Sequence, residues 1–257
     1  MKRRTLPVLL AVLVAAGLAA GATGLFLLRP RLPAAERGRR LAERTGCFAC
    51  HGPEGSRGAA NPGRTDRTVP TFGGDLMMYA ESPADVREWI LNGVTSRRAR
   101  SRSWQAQRDR GALRMPAFKG RLSARELDDL VAFVLSVSGE PEPEDSSAAL
   151  GLRRAQELGC VGCHGPGGRL ARPNPGSLKG YVPSWDGSDF PELVAGRAEF
   201  DQWVREGVPD RFRDNALARW FLARAALKMP AYRHHLQAGD LDALWTYVQW
   251  LRSQPRP

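Results

Sequence analysis

Cys47-Phe48-Ala49-Cys50-His51 recurs further along the chain as Cys160-Val161-Gly162-Cys163-His164. Other matches keep the same step. Asn61-Pro62-Gly63 returns as Asn174-Pro175-Gly176 in the same register. Trp89 and Gly93-Val94 return one position later than that register, as Trp203 and Gly207-Val208. Met115-Pro116-Ala117-Phe118 returns, again one position later, as Met229-Pro230-Ala231-Tyr232. From the two methionines onward, 9 of 23 aligned positions are identical. The chain therefore reads as one unit written twice, with one inserted residue, at a period too long for a solenoid.

Working outward, each unit reads as helical. A short helix leads into each CxxCH, with Gly38 and Gly151 at the same distance before the first cysteine. Helices are expected near Pro83–Asn92, with Ser82 as N-cap and Pro83 at the first position, and near Arg197–Glu206. A final helix over about Ser123–Ser138 carries Leu127, Leu130, Val131, Val134 and Leu135 at helical spacing. Its counterpart carries Leu241, Leu244, Trp245, Val248 and Leu251. No stretch alternates as a strand would. A unit with so few helices has a thin core unless a buried apolar cofactor thickens it.

The chemistry of the repeated motif names that cofactor. CxxCH is the attachment signature of a c-type haem. Two thiols add across the two vinyl groups of the ring, and the adjacent histidine becomes the proximal iron ligand. All four cysteines of the chain lie in the two motifs, so none remains for a disulfide. A zinc site needs four ligands, and a thioredoxin-like pair needs a βαβ context. Neither is present in the sequence. Two haems are expected, attached through Cys47 and Cys50 and through Cys160 and Cys163, with His51 and His164 on the irons.

The sixth ligand follows from inventory. The first unit has no spare histidine, and its methionines are Met77, Met78 and Met115; the second unit has only Met229. Met115 and Met229 share the Met-Pro-Ala-aromatic context and follow their histidines at spacings that differ by a single position. They are the expected ligands. Met77 or Met78 is the fallback in the first unit, and His234 or His235 in the second.

Each unit thus resembles a class I cytochrome c, and the pair resembles tandem di-haem cytochromes c, including membrane-anchored electron-transfer subunits. The resemblance covers about residues 36 to 254. It implies an all-α fold of two tandem cytochrome c domains, with first and last helices crossing at Gly38 and Gly151. It also implies that the carbonyls of Pro62 and Pro175 accept the Nδ1–H of His51 and His164 and fix the imidazoles. Both units depart from the simplest members in a longer segment before the methionine. That segment is arginine-rich over residues 97–114 and carries Arg211, Arg213, Arg219 and Arg224 with Trp220 and Phe221 in the second unit.

The flanks complete the organisation. An uncharged apolar run from Leu6 to Leu28 follows Lys2, Arg3 and Arg4. At ~1.5 Å per residue it is long enough to cross a ~30 Å hydrocarbon core. The expectation is a transmembrane helix, with a signal peptide cleaved near Ala20-Gly21-Ala22 as the rival. Arginines after the run oppose that orientation, but haem attachment demands export. The expected domains are an anchor and spacer over 1–35, cytochrome c domains over 36–138 and 148–257, and an acidic proline-rich linker over 139–147. That places the protein in the inner membrane, its N-terminus cytoplasmic and its haem domains periplasmic.

The formal net charge is +11, from 38 basic and 27 acidic residues. The arginines are spread along the chain and match no nucleic-acid-binding motif, so no nucleic-acid partner is expected. A basic surface suits acidic redox proteins as donor and acceptor. Six-coordinate irons have no open site for a substrate, so electron transfer is the expected function and no residue is assigned a catalytic role. The rival is a di-haem enzyme, a peroxidase or a thiosulfate-oxidising type.

Overall fold

A computed structural model of the chain describes residues 12–18, 21, 32–74, 76–138 and 143–254. The first unit begins with α1 (Ala34–Arg44) and α2 (Cys47–His51), the latter holding the whole CxxCH motif. It continues through α3 (Leu76–Tyr79), α4 (Pro83–Asn92), α5 (Ser96–Ala99) and α6 (Arg102–Arg110), and ends in α7 (Ala124–Val137). The second unit runs α8 (Ser146–Glu157), α9 (Cys160–His164), α10 (Phe190–Leu193), α11 (Arg197–Glu206), α12 (Asp210–Arg213), α13 (Ala216–Arg224) and α14 (Asp240–Ser253). Its one addition is a short antiparallel pair, β1 (Arg172–Pro173) with β2 (Tyr181–Val182).

The long helices start and stop where local chemistry dictates. Ser123 accepts from the backbone of Glu126, whose side chain in turn accepts from the Ser123 backbone, a reciprocal capping box ahead of α7. Ser82 caps α4 by accepting from Asp85 N–H, and Gly93 ends it at φ 69°. In each unit the first and last long helices then cross at a glycine. A Cβ on Gly38 would stand 1.8 Å from the Asp129 carbonyl oxygen, and one on Gly151 would stand 2.0 Å from that of Ala243. Only hydrogen fits at either crossing.

The cores form around these crossings. Phe133, Leu130, Val131 and Leu41 are buried in the first unit, and Tyr247, Val248, Leu251 and Ala155 in the second. The units also touch. Leu170 is fully buried in the hydrophobic cluster of the first unit, and Arg172 pairs with Glu54 across the junction.

Two expectations need correction here. The transmembrane helix over Leu6 to Leu28 is not supported: no helix among the described residues is long and apolar enough to cross a membrane. The helical stretch described there is residues 12–18, roughly 10 Å at ~1.5 Å per residue. The rest of that run lies outside the described residues, apart from the helical residue 21. The linker is shorter than 139–147, because Asp145 caps α8 by accepting from Ala148 N–H at 2.7 Å and so belongs to the second unit. The arginine-rich segments fold into two short helices in each unit. Thr95 and Ser101 cap α5 and α6, and Asn215 caps α13.

Candidate functional site: a cofactor cavity beside the CxxCH helix

The first unit encloses a cavity of about 390 Å³, within the range of small-molecule and cofactor sites. Cys47, Cys50, His51 and Met115 all line it. These four come from opposite ends of the unit, the methionine reaching the cavity only after the chain has passed through α3 to α6. Val86, Ile90, Leu130, Val134 and Phe118 supply apolar wall. Two thiols, an imidazole and a thioether facing one apolar space form the donor set a covalently attached haem requires, so these residues fit that group.

Each histidine is fixed at its outer nitrogen. His51 Nδ1 lies 2.8 Å from the Pro70 carbonyl oxygen, and His164 Nδ1 lies 2.8 Å from that of Pro183. A carbonyl only accepts, so Nδ1 carries the proton and the Nε2 lone pair is left for a metal. The rings stack at a tilt on Phe72 and on Trp185, with centroids 4.6 Å and 5.0 Å apart. Burial lowers the pKa of both imidazoles, which favours the neutral, ligating form.

The expected partners, Pro62 and Pro175, do something else. Their carbonyls accept the N–H groups of Ala112 and Ala226 at 2.9 and 3.0 Å. The neighbouring asparagines complete a clamp. Asn61 donates to the Leu113 carbonyl at 3.1 Å and accepts from its N–H at 2.8 Å; Asn174 does the same to Leu227 at 3.0 and 2.8 Å. The repeated Asn-Pro-Gly motif therefore holds the segment that delivers the methionine, not the histidine. The sequence did carry the right signal: Val69-Pro70 returns as Val182-Pro183 in the same register as the CxxCH motifs.

A second set of bonds pins the far side of the methionine. Phe118 and Lys119 donate to the carbonyls of Ile90 and Leu91, and Tyr232 and Arg233 donate to those of Val204 and Arg205. Gly93 and Gly207 admit the methionine backbone closely: a Cβ at either would lie 2.4 Å from the carbonyl oxygen of Met115 or Met229. Among the fallback ligands, Met78 is 64% exposed and His234 and His235 are exposed, so none of the three faces a core. The side chain of Met77 lies outside the described set.

The first thiol of each motif is not poised as a redox thiolate. Desolvation raises the pKa of Cys47 and pushes Cys160 up to about 11. Trp89 lines the cavity while donating its indole N–H to the Tyr79 carbonyl at 2.9 Å; Trp203 donates to Leu193 in the same way at 2.8 Å. Each indole therefore staples the long mid-unit helix to the end of the short helix before it, α3 or α10. Trp104 and Arg64 also line the cavity and were not singled out by the sequence.

Residues 33–134 match the family model described as cytochrome C oxidase, cbb3-type, subunit III. No curated protein and no solved structure matches the chain. The match and the cavity agree on the same stretch, and this region is accordingly a cytochrome c domain, with a covalently bound c-type haem and electron transfer through it as the chemistry.

Proposed function

We propose that the chain is an electron carrier with two covalently bound haems, one in each unit. Cys47 and Cys50 hold the first and Cys160 and Cys163 the second, with His51 and Met115, and His164 and Met229, as the iron ligands. The haem supplies one-electron transfer at its iron; the chain supplies attachment, ligation and exclusion of water. The observation that carries the reading is the convergence of both thiols, His51 and Met115 on one cavity. For the second unit the support is the repeated hydrogen-bond pattern: histidine to Pro183, asparagine clamp to Leu227, and the segment after Met229 tied to α11.

With each methionine held on one side by the asparagine clamp and on the other by backbone hydrogen bonds, neither iron is set up to open for a substrate. That favours a carrier over a peroxidase or a thiosulfate-oxidising enzyme. The description of the matched family names an oxidase subunit, which is consistent with delivery of electrons to a larger acceptor. Donor and acceptor are proposed to be acidic redox proteins, met outside the cytoplasm, because the chain is strongly basic. The haem-to-protein ratio of the purified full-length chain tests the core of this reading. Two haems per chain is the expected value; a ratio of one, with the thiols of Cys160 and Cys163 free to alkylation, would remove the second haem.

A further inference from the structure

In the first unit, the wall next to the methionine segment holds an unexplained polar group. Trp104 is 8% exposed and lines the cavity, and its indole N–H is buried with no hydrogen-bond partner. A buried donor left without a partner is destabilising, so its retention calls for an acceptor. Three cations, Arg64, Arg108 and Arg114, line the same cavity, and the first two have no cationic counterpart in the second unit. Arg64 lines the cavity with its side chain 11% exposed, and Arg108 lies over the Trp104 ring at 5.7 Å. Their carboxylate neighbours, Asp66 at 3.3 Å and Asp109 at 3.1 Å, do not line the cavity. One indole donor and three guanidiniums around an apolar space form a site for carboxylates. A haem brings two, the propionates on the edge of the ring away from its thioether-linked vinyls.

The second unit lacks this arrangement at every one of the three positions. The correspondence is fixed by matched bonds. Arg64 and Ser177 both donate their backbone N–H to the asparagine carbonyl of the clamp. Trp104 and Ala218 both have their N–H capped by the residue three before, Ser101 or Asn215. Arg108 then falls opposite Leu222, one turn further along each helix. Ser177 spends its hydroxyl on the Asn174 carbonyl and the Gly180 N–H. Arg114 and Lys228 each leave one cation before the methionine, so that position makes no difference between the units. Trp220, the nearest indole on α13, is 52% exposed and stacks under Arg224.

We propose that Trp104, Arg64 and Arg108 hold the propionates of the first unit's haem, and that the first unit is in consequence the higher-potential site of the pair. The inference rests on the two-haem reading above. Reduction adds one negative charge at the iron. An unpaired propionate opposes that charge, and donors that neutralise the propionate remove the opposition. In a buried wall the effect is screened less than at a surface. Hydrogen bonding and local charge are two of the means by which a protein sets a haem potential.

Spectroelectrochemical titration of the full-length holo-protein tests it. Two waves are expected, and Met115→Ala identifies the first unit's wave as the one it displaces. Trp104→Phe, which keeps an aromatic ring against Trp89, should lower that wave and leave the other in place. Arg64→Gln should lower the same wave without altering the indole. Arg97→Gln, which breaks only a surface pair with Glu81, should move neither. The proposal is overturned if the wave displaced by Met115→Ala is the lower of the two, or if both Trp104→Phe and Arg64→Gln leave it unmoved. A single wave with one haem per chain would instead defeat the two-haem reading, while the response of that wave to Trp104→Phe would still decide the propionate role.

Discussion

The two units share one backbone around their CxxCH helices and line it with different chemistry. In both, an asparagine grips the segment before the methionine through two hydrogen bonds, and the residues after it are tied to the long mid-unit helix. In both, a prolyl carbonyl orients the histidine at 2.8 Å. Yet the wall beside them carries Arg64, Trp104 and Arg108 in one unit and Ser177, Ala218 and Leu222 in the other. The outer face changes too. Leu178, Leu217 and Trp220 are exposed apolar side chains in the second unit, where the first has Thr65, Ser103 and Ala106. Placement of the histidine and methionine thus depends on bonds to the main chain, from the asparagine amide and from neighbouring backbone, which the two copies share. Charge and surface are properties of side chains, which have diverged over the same scaffold.

The largest effects should come from breaking what the units share. Met115→Ala and Met229→Ala should each open one iron to carbon monoxide and lower one midpoint potential, leaving the other haem low-spin. The reason is that each methionine packs against the core of its own unit. Reduced-minus-carbonyl spectra count the opened irons. One per variant is expected. If Met115→Ala left both haems unchanged, the shared clamp would be holding a residue that is not a ligand.

Next in size is the helix crossing. Gly38→Ala and Gly151→Ala place a methyl group 1.8 and 2.0 Å from a backbone carbonyl oxygen, so α1 must move off α7, or α8 off α14. Overpacking of this kind costs about 1–3 kcal/mol. Each substitution should therefore lower the thermal midpoint of one unit, read from the loss of that unit's haem spectrum. Gly46 has nothing within 4 Å, and alanine there meets only the strain of φ 81°. It should cost about 1 kcal/mol, less than either crossing glycine.

Much of this architecture could be read in the amino-acid sequence, and the rest could not for identifiable reasons. The helices Pro83–Asn92 and Arg197–Glu206 occur at the expected bounds, because a proline or acidic start and a terminal glycine mark them. The glycine crossings followed from the resemblance and hold in the structure. The short helices α5 and α6 were hidden because arginines leave no apolar period to detect; their caps, Thr95 and Ser101, were the readable trace. The histidine's acceptor was misplaced because two repeated prolines were available, Pro62 and Pro70, and sequence spacing does not say which carbonyl turns inward. Trp104 was passed over because its counterpart is Ala218, and a comparison of repeats rewards identity. The residue that distinguishes the units is invisible to the test that finds them.

The smallest effect concerns how each crossing is held, and here one aligned position does two jobs. Glu126 in the first unit closes the capping box of its own helix. Its counterpart Asp240 makes the matching bond, accepting from the Gln237 backbone N–H at 2.7 Å, and in addition accepts from Arg154 on the opposite helix, with both of those contacts at 2.7 Å. The Arg154 guanidinium holds the Asp240 carboxyl below the usual carboxylate range, against the opposing effect of desolvation. A carboxyl whose pKa is lowered on folding contributes stability that is fully present above its unfolded pKa, near ~3.9. That contribution is lost as the pH falls through the lowered, folded value. Asp240→Asn should therefore destabilise the second unit at pH 7 and flatten its acid-unfolding limb below about pH 4, while the first unit's limb stays as it was. Glu126→Gln should shorten the start of α7 with less effect on its contact with α1, because that carboxylate spends its hydrogen bonds on Ser123 and meets α1 only through the charge of Arg44. Haem-resolved unfolding curves across pH 2 to 7 would separate the two outcomes. If Asp240→Asn left the second unit's acid limb unchanged, the Arg154 contact would be a surface pairing with no hold on the helix crossing, as exposed ion pairs commonly are.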